Sequence, residues 1–193
     1  METIIGLAVG IGLSAACGLR VFVPLMGLSI AAHTGYITPA HGFQWIGAWP
    51  ALVAFATATA LEIGAYYIPW LDNMMDALMT PAAMVAGTIS TASMVGDMSP
   101  FLKWSTAIIA GGGISALVQG GTVALRAKSS GTTGGMANPL VSTGELAGSA
   151  LLTICAIALP ILGLVIVVWV FYLIFTKVVK SPFIRNMFPW GRR

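Results

Sequence analysis

Long apolar runs, separated by short polar segments, dominate the chain. They cover residues 4–32, 46–68, 77–95, 104–125 and 146–175. A helix needs about 20 residues to cross the hydrocarbon core of a bilayer, and most of the runs reach that length. The pattern predicts an all-α, polytopic transmembrane helical bundle of about five spans, within a range of four to six. We expect the bundle to occupy 1–176 and a basic interfacial or cytoplasmic tail to occupy 177–193.

The first and last runs are too long for a single straight span. Each holds roughly 30 residues, or about 45 Å of continuous helix. Each also contains helix-breaking residues: Gly18 and Pro24 in the first run, and Pro160 in the last. We therefore expect these two segments to tilt, to kink or to fold back as re-entrant half-spans.

The composition supports a membrane protein. Of the 193 residues, 58% are hydrophobic and 8% are charged, whereas soluble domains carry about 25% charged residues. A water-facing surface built from this composition would expose large apolar patches. The lipid bilayer is therefore the expected partner, with no nucleic acid, and the length leaves no room for a second domain.

The basic residues suggest an orientation. Most of them lie in the tail, at Lys177, Lys180, Arg185, Arg192 and Arg193. Cytoplasmic segments are enriched in Lys and Arg, so we expect a cytoplasmic C-terminus. Five spans would then put Arg126 and Lys128 on the outer side of the membrane, against the same rule. Six crossings, with the last segment broken into two, remove the conflict.

Small residues recur every fourth position in two places. The rows are Gly6, Gly10, Ser14 and Gly18, then Gly112, Ala116, Gly120 and Ala124, each followed by Leu-Arg. Small residues at this spacing let helix backbones approach closely, so we expect both rows to be packing faces. The alternatives are chance matches in a Gly- and Ala-rich chain, or an internal repeat. The same faces would allow a homo-oligomer.

Arg20 and Glu62 are charged residues inside apolar runs. Arg20 either snorkels to an interface or points a cation into the bundle. Glu62 needs a partner, and Arg20 is the natural candidate if the first two spans pack as a hairpin. The functional interpretation of Glu62 is a proton- or cation-binding carboxylate. The alternative is a structural ion pair or a water-facing residue at a tilted helix end.

Two more carboxylates, Asp72 and Asp76, lie near the start of the third predicted helix. With Asn73 they suggest an oxygen-rich cation site. Acidic residues in this position also complement the helix dipole without any further function.

The segment 132–145 is unusually rich in Gly, Ser, Thr and Pro. Gly134, Gly135 and Pro139 disfavour helix, so we expect the next helix to begin near Glu145 with Ser142 or Thr143 as its cap. Non-helical backbone at membrane depth is tolerated where it lines a cavity. On this reasoning the expected site lining is Asn138, Ser142 and Glu145.

No motif points to catalysis, a cofactor or a metal. His33 and His41 lack a third ligand at metal-binding spacing. The three glycines at 111–113 are not followed by the Lys of a phosphate loop, and no nucleophile elbow or zinc-protease motif is present. We therefore predict no enzyme, no cofactor, no metal and no catalytic residue.

Three motifs carry a family resemblance: Gly18-Leu19-Arg20 with Pro24-Leu25, Glu62 with Ile68-Pro69 and Asp72, and Gly134-Gly135 with Asn138-Pro139, Ser142 and Glu145. On these motifs the chain resembles a bacterial family of small membrane proteins, domain of unknown function 4126. The resemblance implies a multi-pass protein of the bacterial inner membrane and brings no established activity. Members often carry an Asp shortly after the Glu of the second span, where this chain has Tyr66. If that Asp helps bind a cation, the role shifts here to Asp72 or is lost.

The leading functional hypothesis is a small transporter or channel-like protein for an ion or small polar solute. Its path would be lined by Arg20, Glu62, Asp72, Asp76, Asn138, Ser142 and Glu145. The alternative is a non-transporting assembly or lipid-binding protein, and a third reading is an intramembrane enzyme acting on lipid. Transport predicts carboxylates that share a hydrated cavity, whereas a structural role predicts carboxylates closed off in fixed pairs.

Overall fold

A computed structural model describes residues 2–96 and 98–179, with the backbone alone for residues 2, 69, 70, 72, 73, 174, 175 and 177–179. This part of the chain holds seven α-helices and no strand, which confirms the all-α prediction. The helices are α1 Glu2–Leu19, α2 Phe22–His33, α3 Trp49–Tyr66, α4 Pro69–Met94, α5 Pro100–Thr133, α6 Asn138–Ala158 and α7 Pro160–Val179. A 3-10 turn, Gln44–Gly47, precedes α3, and a wide π turn, Ala107–Gly112, interrupts α5.

The first apolar run is broken at Arg20 and Val21, which separate α1 from α2. Pro24 falls in the first turn of α2, where its missing N–H removes no helical hydrogen bond. The two helices reverse direction at the break, since Leu13 and Leu28 belong to one apolar cluster on the side away from it. Of the tilt, kink or fold-back expected for this run, the structure has the fold-back.

The last run is broken as well, at Leu159, and α7 begins at Pro160. A Cβ on Gly163 would lie 3.0 Å from Cα of Ala156, so α7 folds back sharply against α6. The five predicted runs thus become seven helices. The predicted boundary after residue 176 falls inside α7, which continues to Val179, and residues 180–193 lie outside the described part.

The helices alternate in direction between two ends of the bundle. At one end, here called the arginine end, α1 stops at Arg20. Glu62 on α3 and Arg126 on α5 reach the same end. At the opposite end Met94 of α4 packs against Gly6 of α1. Because α7 returns along α6, its C-terminus lies at the arginine end. Lys128 on α5 lies near the same end.

Polar side chains fill the interior while large apolar side chains cover the outside. Interior positions away from the charged groups include Ser14, Ser90, Thr91, Ser115, Gln119 and Ser149. Exposed positions include Ile4, Leu61, Ile109, Leu140 and Ile161. By length and apolar composition, two described helices are able to cross a membrane, Pro100–Thr133 and Asn138–Ala158.

The first small-residue row lets α1 approach two neighbours closely. A Cβ on Gly10 would lie 2.8 Å from Cα of Thr91 on α4. Ser14 Oγ donates to the carbonyl oxygen of Gly87 at 2.8 Å. A Cβ on Gly18 would lie 2.5 Å from Cβ of Val118 on α5.

The second row does not act as a single packing face. Gly112 packs tightly, with Thr88 Oγ1 2.7 Å from a Cβ placed there, and Ala116 is half-buried. Gly120 is exposed with nothing within 4 Å of its Cβ position, so it packs against no described helix of this chain. The buried face of α5 instead carries Ser115, Gln119, Thr122 and Arg126. Position 120 is one residue, or about 100°, further round the helix than Gln119.

Candidate functional site: a buried charge cluster

Arg20 occupies the break between α1 and α2 and is only 2% exposed. Its Nη2 donates to the carbonyl oxygen of Ser142 at 3.0 Å and also to Ser142 Oγ. The same nitrogen is 3.7 Å from Glu145 Oε2. Arg20 therefore points into the bundle rather than snorkelling to an interface. Its Nε and Nη1 are buried and have no hydrogen-bond partner among the described residues.

Glu62, also 2% exposed, caps the start of α2 from α3. Oε1 accepts the Val21 N–H at 2.8 Å and Oε2 accepts the Phe22 N–H at 3.0 Å. The first N–H groups of a helix lack intrahelical partners and favour negative charge, so a carboxylate fits this position. The prediction that Glu62 pairs directly with Arg20 is wrong: no ion pair in the described part joins them, because Arg20 extends towards α6 instead.

Arg126, which is absent from the site residues predicted from the sequence, lies at the centre of the cluster. Its Nε donates to Glu145 Oε1 at 3.1 Å, and its Nη2 donates to Glu145 Oε2. Nη1 donates to Asp76 Oδ1 at 2.9 Å. The two-pronged contact with Glu145 is the strong geometry for guanidinium and carboxylate. The repeated Leu-Arg pair was the one sequence signal that marked Arg126 together with Arg20.

Tyr66 contacts both arginines. The guanidinium carbons of Arg20 and Arg126 are 3.9 Å and 4.0 Å from the centroid of its ring. Both distances are within the range of a cation–π contact. The Tyr66 hydroxyl donates to Asp76 Oδ1 at 3.3 Å. Tyr66 thus joins α3 to the charged residues of α4 and α5.

Asp76 belongs to the cluster and does not cap a helix. Since α4 begins at Pro69, Asp76 is about two turns inside it. The side chains of Asp72 and Asn73 lie outside the described part of the structure. In the described residues, no group of three His, Cys, Asp or Glu side chains is arranged to hold a metal ion.

The segment before Glu145 is more helical than the sequence predicted. Helix α6 begins at Asn138 rather than near Glu145, with Pro139 in its first turn, where proline is favourable. Asn138, Ser142 and Glu145 therefore share one buried face of a helix. Ser142 and Glu145 meet Arg20, whereas Asn138 Nδ2 donates to Ser130 Oγ on α5 at 3.0 Å.

The turn between α5 and α6 is made by two glycines with positive φ. Gly134 has φ of 64° and Gly135 has φ of 87°. Residues with a side chain rarely adopt this region, so the Gly-Gly pair is what allows α6 to start immediately and bring Ser142 and Glu145 back towards Arg20.

Five of the predicted path residues thus meet at one level of the bundle: Arg20, Glu62, Asp76, Ser142 and Glu145. The family profile described as "Domain of unknown function (DUF4126)" matches residues 7–180, most of the chain. The chain belongs to the DUF4126 family. The matched region contains every described member of the charge cluster, so the cluster is part of the DUF4126 domain itself. Among curated proteins and among solved structures, none matches the chain.

Proposed function

We propose that this DUF4126 protein is a multi-pass protein of the bacterial inner membrane that transports, or conducts, an ion or small polar solute. The observation that carries the proposal is the charge cluster itself. Two arginines and three carboxylates are buried in a bundle whose outer surface is largely apolar. Ionisable groups are rare at membrane depth, and they commonly mark ion or substrate pathways there.

The charge balance of the cluster supports binding of a positive charge. Arg20 and Arg126 contribute two positive charges, while Glu62, Asp76 and Glu145 contribute three negative charges, a difference of one negative charge among the described members. A buried net charge is costly unless it is compensated. One proton, or one monovalent cation, would restore neutrality, which is the chemistry that a proton- or cation-coupled transporter needs.

The broken helices also support transport. Helix α1 ends and α2 begins at Arg20, inside the cluster. Secondary transporters often build their sites at such interruptions, where helix ends and unwound backbone face the substrate. The orientation that follows from the basic tail places the arginine end in the cytoplasm, with Lys128 on the same side.

A second candidate function rests on a specific observation. Each described carboxylate of the cluster has fixed partners: two backbone N–H groups for Glu62, and Arg126 for both Asp76 and Glu145. Such closed pairs suit a non-transporting assembly or lipid-binding protein whose charges only hold the bundle together. Transport requires an opening step that separates some of these pairs, so the present conformation would be an occluded state. The homo-oligomer expected from the sequence remains a prediction.

Flux into proteoliposomes tests the transport proposal. Purified protein is reconstituted, a pH gradient is imposed, and the uptake of protons, common cations and anions is followed. We expect flux above that of empty liposomes, lost in Glu62→Gln and in Glu145→Gln. Gln119→Leu is the matched control, because Gln119 is a buried polar residue of α5 without a described contact in the cluster. No flux with any ion would favour the non-transporting function.

A further inference from the structure

A hydrogen bond between Tyr67 and Thr143 joins the end of α3 to α6. The two hydroxyl oxygens are 2.9 Å apart. Thr143 Oγ1 donates its one hydrogen to the carbonyl oxygen of Pro139, at 2.8 Å, so Tyr67 is the donor in the bond between the helices. In the described part of the chain, no other hydrogen bond links residues 49–67 to α6. Both side chains are exposed, so the bond lies at the surface of the bundle, at the arginine end.

Tyr66 lies directly inside this bond and covers the charge cluster. It is 3% exposed and contacts the guanidinium groups of Arg20 and Arg126. Its ring also packs in the same buried apolar cluster as Cys17, which lies one turn of α1 before Arg20. Because Tyr66 and Tyr67 are adjacent, a movement that breaks the outer bond carries the ring with it. Such a movement uncovers both arginines and Cys17 together.

Helix α3 is held by a narrow buried face, and its last turn can bend. Its buried residues are Thr59, Glu62 and Tyr66. Glu62 is fixed by two N–H groups at the start of α2. Gly64 follows it, exposed to the outside, and a Cβ placed there meets nothing within 4 Å. Because glycine weakens a helix, the turn beyond Gly64 can move while Glu62 stays bound.

Arg20 lowers the cost of opening. Its side chain is buried, yet its Nε and Nη1 have no hydrogen-bond partner among the described residues. Unused donors on a buried cation are costly. When Tyr66 moves away, water reaches the guanidinium and satisfies these donors. That gain offsets part of the loss of the cation–π contact and of the Tyr67 hydrogen bond.

From these features we infer that the last turn of α3 is a gate at the arginine end of the bundle. It is hinged at Gly64 and held shut by the bond between Tyr67 and Thr143. Opening moves the Tyr66 ring off the arginines and admits water to the charge cluster. The inference rests on the proposed transport function and names the opening step which that function requires.

Thiol labelling of Cys17 measures the opening. Cys17 is 0% exposed, and Cys155→Ala leaves it as the one cysteine of the chain. Membrane vesicles of each orientation are treated with a charged, membrane-impermeant thiol reagent. The labelling rate then follows the population of the open state. We expect slow labelling, and only from the side that labels Thr132→Cys, in the exposed last turn of α5, in a protein without the native cysteines.

Removing the outer bond should speed the labelling. Tyr67→Phe and Thr143→Val each remove one partner, and each should raise the rate about two- to tenfold, the factor that one hydrogen bond contributes to an equilibrium. The double variant should label no faster than the faster single variant, because both lose the same bond. Tyr172→Phe, the same change on the exposed face of α7, is the matched control and should leave the rate unchanged.

Stiffening the hinge should have the opposite effect. Gly64→Ala adds a methyl group in open space and favours the helical last turn, so the rate should fall about two- to fivefold. Gly120→Ala, which is equally unobstructed but lies on α5 away from the gate, should leave the rate unchanged.

The outcomes distinguish the gate from the transport proposal, because labelling reports opening whether or not a solute crosses. Unchanged labelling in both variants of the outer bond would overturn the gate, even if flux is found in proteoliposomes. Faster labelling from both sides of the membrane would also overturn it, since that result indicates a loosening of the whole bundle. The expected changes of rate without flux of any ion would support the gate and exclude transport.

Discussion

Glu62 accepts the backbone N–H of Phe22 at 3.0 Å, forty residues earlier in the chain. The contact fixes the point at which α2 starts, because the first N–H groups of that helix would otherwise be buried without an acceptor. It also ties α3 to the break at Arg20. A single carboxylate thus joins α3 to the break between α1 and α2, two of the elements that contribute to the charge cluster.

Replacing Glu62 should therefore lower the free energy of unfolding, and the loss should grow with the number of hydrogen-bond acceptors that are removed. Glu62→Gln keeps one oxygen and should reduce the free energy of unfolding by about 1–3 kcal/mol, and Glu62→Leu should reduce it further. Equilibrium unfolding in mixed micelles, followed by circular dichroism, measures the difference. Thr57→Ala on the exposed face of α3 should change stability by less than about 0.5 kcal/mol. Equal losses for Gln and Leu would contradict the capping role.

Arg126 should be the most costly single residue of the cluster to remove. Arg126→Met leaves Glu145 and Asp76 buried without their cation, and we expect a loss of about 3–5 kcal/mol. Adding Glu145→Met to this variant should restore part of the loss. A double-mutant cycle measures the coupling, and strictly additive effects would show that the pair does not stabilise the bundle.

The two small-residue rows should respond differently to alanine. Gly18→Ala places a methyl group 2.5 Å from Cβ of Val118 and 2.6 Å from the carbonyl oxygen of Ser115, and it should cost about 1–3 kcal/mol. Gly120→Ala meets open space and should be neutral or stabilising by up to about 1 kcal/mol. The same micelle unfolding assay compares them. Similar costs at both positions would contradict the packing described here.

Reactivity of single cysteines should show which end of the bundle faces the cytoplasm. In a background with Cys17 and Cys155 replaced by alanine, Thr132→Cys lies in the exposed last turn of α5 and His41→Cys in the loop before α3. An impermeant thiol reagent added to whole cells should label His41→Cys and spare Thr132→Cys. The reverse pattern would invert the proposed orientation.

The all-α class was predictable, because apolar runs of about 20 residues are much longer than ordinary strands. The breaks at Gly18–Pro24 and at Pro160 were also visible in the sequence, since proline and glycine weaken or interrupt helices. Position matters as well, because Pro81 lies inside α4 without ending it. The direction in which the chain continues after each break depends on tertiary packing, such as that of Gly163 against Ala156. No local sequence pattern encodes that contact.

Within the site, the sequence identified most of the charged residues but not their pairing. In the sequence, Arg126 follows an apolar run that ends at Leu125, which suggests a position outside the bundle, whereas α5 continues to Thr133 and buries it. The Gly-Gly pair and Pro139 suggest a non-helical segment, although proline is compatible with a first helical turn. Both errors come from placing helix ends by apolar runs alone.

The most direct test of a transport path through the cluster is whether water reaches it. Ser142→Cys, in the cysteine-free background, is treated with a charged thiol reagent in membrane vesicles of each orientation. Leu151→Cys, on the exposed apolar face of the same helix, is the control and should stay unlabelled in lipid. A path predicts that Ser142→Cys reacts from at least one side, and that a pH gradient changes its rate. Complete protection of Ser142→Cys, while Thr132→Cys in the exposed turn is fully labelled, would contradict it and leave the cluster a structural element.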